Sequence, residues 1–202
     1  MTPLVLALCL AAEPRLLANE VSAGVGVLGT SYTFTGGRLG ETQLTPVVTA
    51  RGLLGGATLE GGVLLVLPTA GTTGVSFTAA ARLGWTGQRW SLLLGALMQW
   101  TADARPALQF LPTLRGSVDF GSFGLTLGVF DSLGLIPAHL SADVRVGRGG
   151  FSVGYVAPIG ALLSAQLPLD ERFGLRVTAF AFKLLQTEVA MVTLSGTYGG
   201  AP

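Results

Sequence analysis

The sequence predicts an all-β fold: a closed antiparallel transmembrane β-barrel of about twelve strands. Half of the 202 residues are hydrophobic and only 11% are charged, whereas soluble domains usually carry about 25% charged residues. The chain contains no run of about 18 apolar residues of the kind that forms a transmembrane helix. Apolar and polar residues instead alternate with a period of two, which is typical of strands. Because hydrocarbon requires every backbone polar group to be bonded internally, a closed barrel is the remaining membrane-spanning structure.

The N-terminal residues 1–18 have the features of a secretory signal peptide. An apolar stretch from Leu4 to Ala12 ends on the small residues Ala11 and Ala12, as at a cleavage site. Cys9 is the single cysteine and lies within this stretch, so no disulfide can form within the chain. No linker or shift in composition divides residues 19–202, and we therefore expect them to form one barrel domain.

Alternation is clearest in residues 74–101, where Val75, Phe77 and Leu83 share one parity while Ser76 and Arg82 share the other. The same pattern continues along the chain. The predicted strands are 20–35, 44–54, 57–67, 74–86, 89–101, 107–120, 123–131, 136–147, 150–157, 160–167, 172–184 and 187–198. The segments around 150–167 are short, which leaves ten strands as the alternative.

Turn lengths predict an orientation. The connections on the side of the chain termini are short: 55–56, 86–88, 121–122, 148–150 and 168–171. The connections on the opposite side include the longer segments 36–43, 68–74, 102–107 and 132–137. Short turns on one side and longer loops on the other are typical of bacterial transmembrane barrels, in which the short turns are periplasmic.

Aromatic residues cluster at the predicted level of the short turns and on one face. Amphipathic rings favour the boundary between hydrocarbon and headgroups, so these residues are predicted to form an aromatic girdle. The members are Trp85, Trp90, Phe120, Phe123, Phe151, Phe173 and Tyr198.

The final predicted strand, in the segment "TEVAMVTLSGTY", places Val192, Leu194 and Tyr198 on one side. With the leader, the even strand number and the alternation, the chain from residue 19 onward resembles small bacterial outer-membrane β-barrel proteins. This resemblance implies contact with outer-membrane lipid in a Gram-negative envelope, with both termini in the periplasm. Tyr198 is followed by Gly-Gly-Ala-Pro, whereas such proteins often end on an aromatic residue.

A soluble β-sandwich or a lipocalin-like barrel is the alternative fold, with the apolar parity turned inward. The residues of polar parity are largely Ser, Thr, Gly, Ala and Gln. Such a surface has too few charged side chains for a soluble protein. The membrane barrel is therefore the favoured interpretation.

If the apolar parity faces lipid, the polar parity faces the lumen. We predict that these residues form ion pairs between strands in a partly filled lumen, and a selectivity filter is the alternative. The candidate lumen residues are Arg51, Glu60, Arg82, Arg89, Arg115, Asp119, His139, Asp143 and Arg145.

Catalysis is not expected. Outer-membrane phospholipases use Ser, His and Asn together, but the one asparagine here is Asn19, far along the chain from the one histidine, His139. Asp143 lies about 13 Å along the same strand at ~3.3 Å per residue, too far to pair with that histidine. No metal or cofactor motif is present, and a net charge of +1 without a basic run argues against nucleic acid.

Two function classes therefore remain. The first is the membrane-embedded structural subunit of an envelope assembly for export, adhesion or surface motility, with protein partners at the rims of the barrel. The second is a passive, porin-like channel for small solutes, which would prefer anions because basic residues lead the predicted lumen. A lipid hydrolase is a distant third. The sequence offers no long loop to fold inward as a constriction, and this favours the structural subunit.

Overall fold

The computed structural model describes residues 20–54, 57–69, 75–102, 107–147 and 149–199. The predicted leader, residues 1–18, lies outside the described residues. So do the predicted turn 55–56 and most of the predicted loops 68–74 and 102–107.

Twelve strands form one closed antiparallel barrel, which confirms the predicted fold class. Each strand pairs with the strands before and after it in sequence, and the first pairs with the last. The strands are β1 Glu20–Phe34, β2 Gly37–Leu54, β3 Ala57–Pro68, β4 Val75–Thr86, β5 Trp90–Ala102, β6 Ala107–Asp119, β7 Phe123–Asp131, β8 Ile136–Val146, β9 Gly149–Val156, β10 Ile159–Pro168, β11 Phe173–Leu184 and β12 Thr187–Gly199.

The up-and-down connectivity gives the barrel two ends. We call the end at which β1 begins and β12 finishes the terminal rim, and the opposite end, which carries the turn between β1 and β2, the distal rim. Glu20 is paired with Gly199 at the terminal rim, and Tyr32 is paired with Thr187 near the distal rim.

The exterior of the barrel is apolar. On β4, Val75, Leu83 and Trp85 are exposed, whereas Thr78 and Arg82 point into the barrel and are buried. The same alternation holds around the barrel, with leucine, valine and aromatic side chains exposed on the outward positions. Because this surface cannot be covered by the protein itself, it requires hydrocarbon as its solvent.

Aromatic side chains border the apolar surface at both ends. All seven predicted girdle residues are exposed and lie at the terminal rim, where Phe120 stacks on Phe123 and Phe173 packs against Tyr198. A second group lies on outward positions toward the distal rim and was not predicted from the sequence; it comprises Trp100, Phe110 and Tyr155. The strand from Val21 to Tyr32 spans about 36 Å at ~3.3 Å per residue. At a tilt of roughly 40° this covers an apolar band of about 25 Å.

The predicted loop 36–43 is wrong. The chain turns at residues 35–36, and β2 begins at Gly37, which is paired with Phe34. This segment is polar because the hairpin of β1 and β2 continues beyond the apolar band into water. A strand surrounded by water needs no apolar face. With this correction, the described distal turns are no longer than the terminal ones, and the predicted loops 68–74 and 102–107 stay predictions because they lie mostly outside the described residues.

The predicted loop 132–137 is also different in the structure. It forms a single 3₁₀ turn, Ser132–Gly134, and β8 begins at Ile136. Positive φ angles at Phe130, Leu133 and Gly134 turn the backbone, and Leu133 and Ile136 are buried. This segment therefore folds into the lumen rather than outward into solvent.

Candidate functional site

The lumen contains two layers with different chemistry. In β3, the inward residues are Thr58 and Glu60 toward the terminal rim and Leu64 and Val66 toward the distal rim. In β11, Arg176 is likewise followed by Phe180 and Phe182. We call the terminal half of the lumen the polar layer and the distal half the apolar layer.

The apolar layer fills the distal half of the barrel. Ten buried side chains pack together there: Leu28, Leu64, Val66, Leu133, Ile136, Val156, Leu162, Phe180, Phe182 and Met191. They come from seven strands and from the inward 3₁₀ turn, so they cross the lumen from wall to wall.

An ion-pair network joins the residue before the 3₁₀ turn to strands β3, β4 and β6. Asp131, immediately before the turn, lies 2.9 Å from Arg82 Nη2 on β4, and Glu60 lies 2.5 Å from Arg82 Nη1. Arg82 Nε donates to Thr113 Oγ1 at 2.8 Å. Arg115 approaches Glu60 Oε2 at 3.3 Å and Asp131 Oδ2 at 3.9 Å. This network holds the segment 130–136 inside the barrel.

Further ion pairs lie nearer the terminal rim. Arg145 pairs with Asp119 and also donates to the carbonyl of Gly121 at 3.1 Å. Arg176 pairs with Glu20 at 2.9 Å. Each of these ion pairs joins two strands that are separated by one strand, β6 with β8 and β11 with β1.

A cavity of about 490 Å³ lies within the lumen. The polar layer forms most of its wall, and residues of the apolar layer, such as Leu64 and Phe180, also line it. Eight of the nine predicted lumen residues line it, namely Arg51, Glu60, Arg82, Arg115, Asp119, His139, Asp143 and Arg145. Arg89 does not. Strand β5 begins at Trp90 rather than at residue 89, so Arg89 lies in the turn between β4 and β5, where it is exposed.

Acids and bases balance among the described residues that line the cavity. The bases are Arg51, Arg82, Arg115, Arg145 and Arg176, and the acids are Glu20, Glu60, Asp119, Asp131 and Asp143. The predicted excess of basic residues depended on Arg89 and omitted two of these acids. The basis for anion preference is therefore lost.

Sequence reasoning missed Asp131 and the apolar layer for different reasons. Asp131 has the parity of the outward residues of β7, but the positive φ of 47° at Phe130 reverses its direction. The apolar layer was accessible from the sequence, because parity continued from Glu60 leads to Leu64, and parity continued from Arg176 leads to Phe180. Both faces of these strands are apolar toward the distal rim.

His139 lies inside the polar layer with an exposed fraction of 6%. Its Nε2 is 3.7 Å from Asp131 Oδ2, whereas its Nδ1 is buried without a hydrogen-bond partner among the described residues. A Cβ at Gly128 would collide with the imidazole, so the glycine makes room for it. The histidine faces the lumen and is separated from the lipid-facing surface by the barrel wall.

The described residues contain neither a cluster of metal ligands nor a membrane-spanning helix. None of their His, Cys, Asp and Glu side chains form a group of three or more that could hold a metal ion. No helix in the described part of the chain is long and apolar enough to cross a membrane.

Comparison with known proteins supports the fold. No protein-family model matches the sequence, and neither does any curated protein. Among solved structures, the chain is similar to an outer-membrane channel from Pseudomonas putida F1, with a TM-score of 0.57, 14% identity, and coverage of 94% of this chain and 98% of that one. It is also similar to an active-site mutant of outer membrane phospholipase A from Escherichia coli, with a TM-score of 0.51, 12% identity and 97% coverage of both chains.

At this level of identity the likeness concerns the fold alone. Together with the apolar exterior and the aromatic girdle, it shows that this chain has the fold of outer-membrane β-barrels.

Proposed function

We propose that this chain is a non-enzymatic structural subunit, embedded in the outer membrane, of an envelope assembly for export, adhesion or surface motility. The observation that carries the proposal is the filled distal half of the lumen. Ten packed apolar side chains and an inward turn fixed by buried ion pairs obstruct the path that water would take. A barrel that does not conduct ions is expected to act through the contacts that its outer surface and rims make with other molecules.

The absence of catalysis is part of the proposal. The single histidine is buried in the lumen, where a membrane lipid does not reach it. Its nearest acid, Asp131, is shared with Arg82, which favours a structural role for the pair. Likeness in fold to a phospholipase carries no catalytic residues across at 12% identity.

The proposed orientation has both termini in the periplasm, as in outer-membrane barrels generally. The terminal rim then faces periplasmic partners. Its turns expose Arg89 between β4 and β5 and Arg172 between β10 and β11. Such charged rim residues are suited to recognise a partner without disturbing the barrel, and reversing them would place like charges together, which costs several kcal/mol.

Co-purification tests the proposal. A tagged chain should retain a stoichiometric envelope partner after detergent extraction, and charge reversal at both Arg89 and Arg172 should release that partner while the barrel stays folded. The matched control reverses Lys183 at the distal rim and should leave the complex intact. Purification of a lone barrel from crosslinked envelopes, with unimpaired envelope function in the charge-reversed variant, would contradict the structural role.

A small-solute channel is the second candidate. It is favoured by the cavity of about 490 Å³, which reaches the terminal rim at Glu20 and Asp119, and by the similarity in fold to a channel. For conduction, the segment 130–136 and the apolar layer would have to move apart. The two candidates therefore differ in whether the lone barrel conducts ions.

A further inference from the structure

The ladder between β6 and β7 stops about halfway along β6. Pairing runs from Asp119 with Gly124 to Leu114 with Val129, and there it ends. Strand β6 itself continues to residue 107 and stays paired with β5 up to that end. Among the described residues, the segment 107–113 therefore has no neighbouring strand on its β7 side.

A proline explains where the ladder stops. The N–H of Asp119 donates to a carbonyl in the turn before β5, whereas the N–H of Phe120 donates to the first residue of β7. Because backbone groups alternate in direction along a strand, the even-numbered residues of β6 direct theirs toward β7. After Leu114 the next such residue is Pro112, which has no N–H to donate.

Strand β7 leaves the barrel wall at the same level. In the register of the ladder Pro112 would face Asp131, but the positive φ of Phe130 turns the chain into the lumen just before that residue. The Thr113 hydroxyl lies 3.1 Å from the carbonyl oxygens of Val129 and Phe130, so a side chain satisfies the end of β7. A gap in the wall remains beside the distal part of β6.

The side chains of β6 beside this gap are exposed. Phe110 and Leu108, on outward positions, have exposed fractions of 67% and 56%. Gln109 lies between them, has the inward parity and is exposed as well. A strand that lacks a neighbour on one side leaves its side chains uncovered in this way, so exposure and pairing indicate the same gap.

The unpaired edge begins inside the apolar band. Leu108 faces Trp100 of the distal aromatic group, and Phe110 faces Met98 closer to the membrane centre. The N–H and carbonyl of Phe110 and the carbonyl of Pro112 are directed into the gap, where no described strand meets them. Open sheet edges do not occur where they are exposed to hydrocarbon, because lipid cannot bond backbone polar groups. This edge therefore requires a partner that can.

We propose that an extended segment of a protein partner adds to β6 as a strand, in the place that a longer β7 would occupy. A strand presents backbone donors and acceptors at the two-residue spacing of the free groups on Phe110 and Leu108, whereas an acyl chain presents none. The added strand runs antiparallel to β6. Its outward side chains adjoin lipid and are apolar, and those of the other parity face the lumen.

The proposed interface lies on the distal side and is separate from the terminal rim that carries Arg89 and Arg172. It deepens the proposed function and rests on it only for the existence of a protein partner. Binding at the gap is measured on the purified chain, so its failure is distinguishable from a failure of the terminal rim to recruit a partner. A second copy in the same membrane has its β6 running in the same direction, and so does not supply an antiparallel strand from that edge.

Addition of a peptide to the purified, folded chain tests the edge. The probe is a short fluorescent peptide in which valine and threonine alternate, and its control is the same peptide methylated on its backbone nitrogens. Each is titrated with the chain in detergent micelles, and binding is followed by fluorescence anisotropy. The unmodified peptide should bind about tenfold more tightly, the factor that ~1.4 kcal/mol represents, because methylation removes its backbone donors.

Phe110→Pro and Phe110→Ala form a matched pair of variants. The proline removes the N–H that faces the gap and leaves the bonds to β5 in place, so peptide affinity should fall about tenfold. The alanine keeps that N–H and removes only the ring, so the affinity should fall much less. Heat-modifiable gel mobility verifies folding. Leu108→Pro replaces Phe110→Pro if the latter does not fold, because the N–H of Leu108 faces the same gap.

Amide hydrogen exchange, measured by NMR in the same micelles, locates the bound peptide. The amide of Phe110 should exchange much more slowly once the peptide is bound. The adjacent amide of Leu111 faces β5 and should be protected with and without the peptide, which makes it an internal control.

Four results would overturn the proposal. Equal binding of the two peptides would show that no ladder forms, and equal losses in the proline and alanine variants would make the site an apolar contact. An amide of Phe110 that still exchanges rapidly at saturating peptide would show that water bonds the edge. Self-association of the chain that Phe110→Pro abolishes in the absence of peptide would make a second copy the occupant.

Discussion

Arg82 keeps its charge inside the barrel because oxygen acceptors surround it. Its guanidinium contacts Glu60, Asp131 and the hydroxyl of Thr113, and its exposed fraction is 6%. A buried charge without such partners would be very unfavourable. Removal of the arginine would leave Glu60 and Asp131 close together, with Arg115 near both of them and Arg51 opposite Glu60 on the neighbouring strand.

Arg82→Met should lower the free energy of unfolding by about 3–5 kcal/mol, since breaking a buried ion pair leaves uncompensated charge behind. Urea titration in lipid vesicles, followed by tryptophan fluorescence, measures this difference. Arg176→Met is the matched control. Its side chain is 30% exposed and pairs with a similarly exposed Glu20, so the expected loss is about 1 kcal/mol or less. Equal losses for the two variants would show that the network around Arg82 does not stabilise the barrel.

Parity predicted most lumen residues but could not place Asp131 or Arg89. Parity holds only while a strand stays regular, and the positive φ at Phe130 reverses the direction of the residue that follows. The prediction for Arg89 was wrong for a simpler reason. The strand was predicted to begin at residue 89 but begins at Trp90, so a turn residue was counted in the alternation. Both errors occur at strand ends, where hydrogen bonding rather than hydropathy decides the local structure.

The turn between β7 and β8 folds into the lumen, where Leu133 and Ile136 are buried. Gly134 has a φ of 83°, and a Cβ there would lie 2.5 Å from Leu97 Cδ2 on β5. Glycine is therefore needed at this position for two reasons: the positive φ of the backbone and the close packing against Leu97 on β5.

Gly134→Ala should destabilise the barrel more than Gly147→Ala does. Both glycines have a positive φ, so both substitutions carry a strain of roughly 1 kcal/mol. A Cβ at Gly147 meets nothing within 4 Å, whereas a Cβ at Gly134 collides with Leu97. Parallel urea titrations of the two variants isolate the packing contribution. If the two losses were equal, the turn would not be packed against β5.

At the level of elements, the alternation predicted all twelve strands to within a few residues at most ends. The exception is β2, whose first residues were assigned to a loop because they are polar and rich in glycine. Hydropathy reports the solvent around a strand, and the distal part of the β1–β2 hairpin extends past the apolar band. Polar composition therefore cannot distinguish a loop from a strand in water.

The whole molecule is a barrel with an apolar exterior, a polar layer in the terminal half of its lumen and an apolar layer in the distal half. The exterior was predictable, because lipid requires an apolar parity on every strand. The packing of the apolar layer was not predictable from parity alone, since it depends on which inward residues meet across the barrel and on a turn that folds back between them. The sequence places Leu64, Phe180 and Met191 on the inward parity, but only the closed barrel brings them together.

The central claim is that this barrel is closed to ions. Single-channel recording in a planar lipid bilayer tests it directly with the purified, folded chain. We expect no reproducible conductance from the wild-type protein. A variant with Leu64→Ala and Phe180→Ala, which removes two large side chains from the apolar layer, should conduct and so demonstrate insertion. A steady, ion-selective conductance of the wild-type barrel alone would contradict the account and favour the channel.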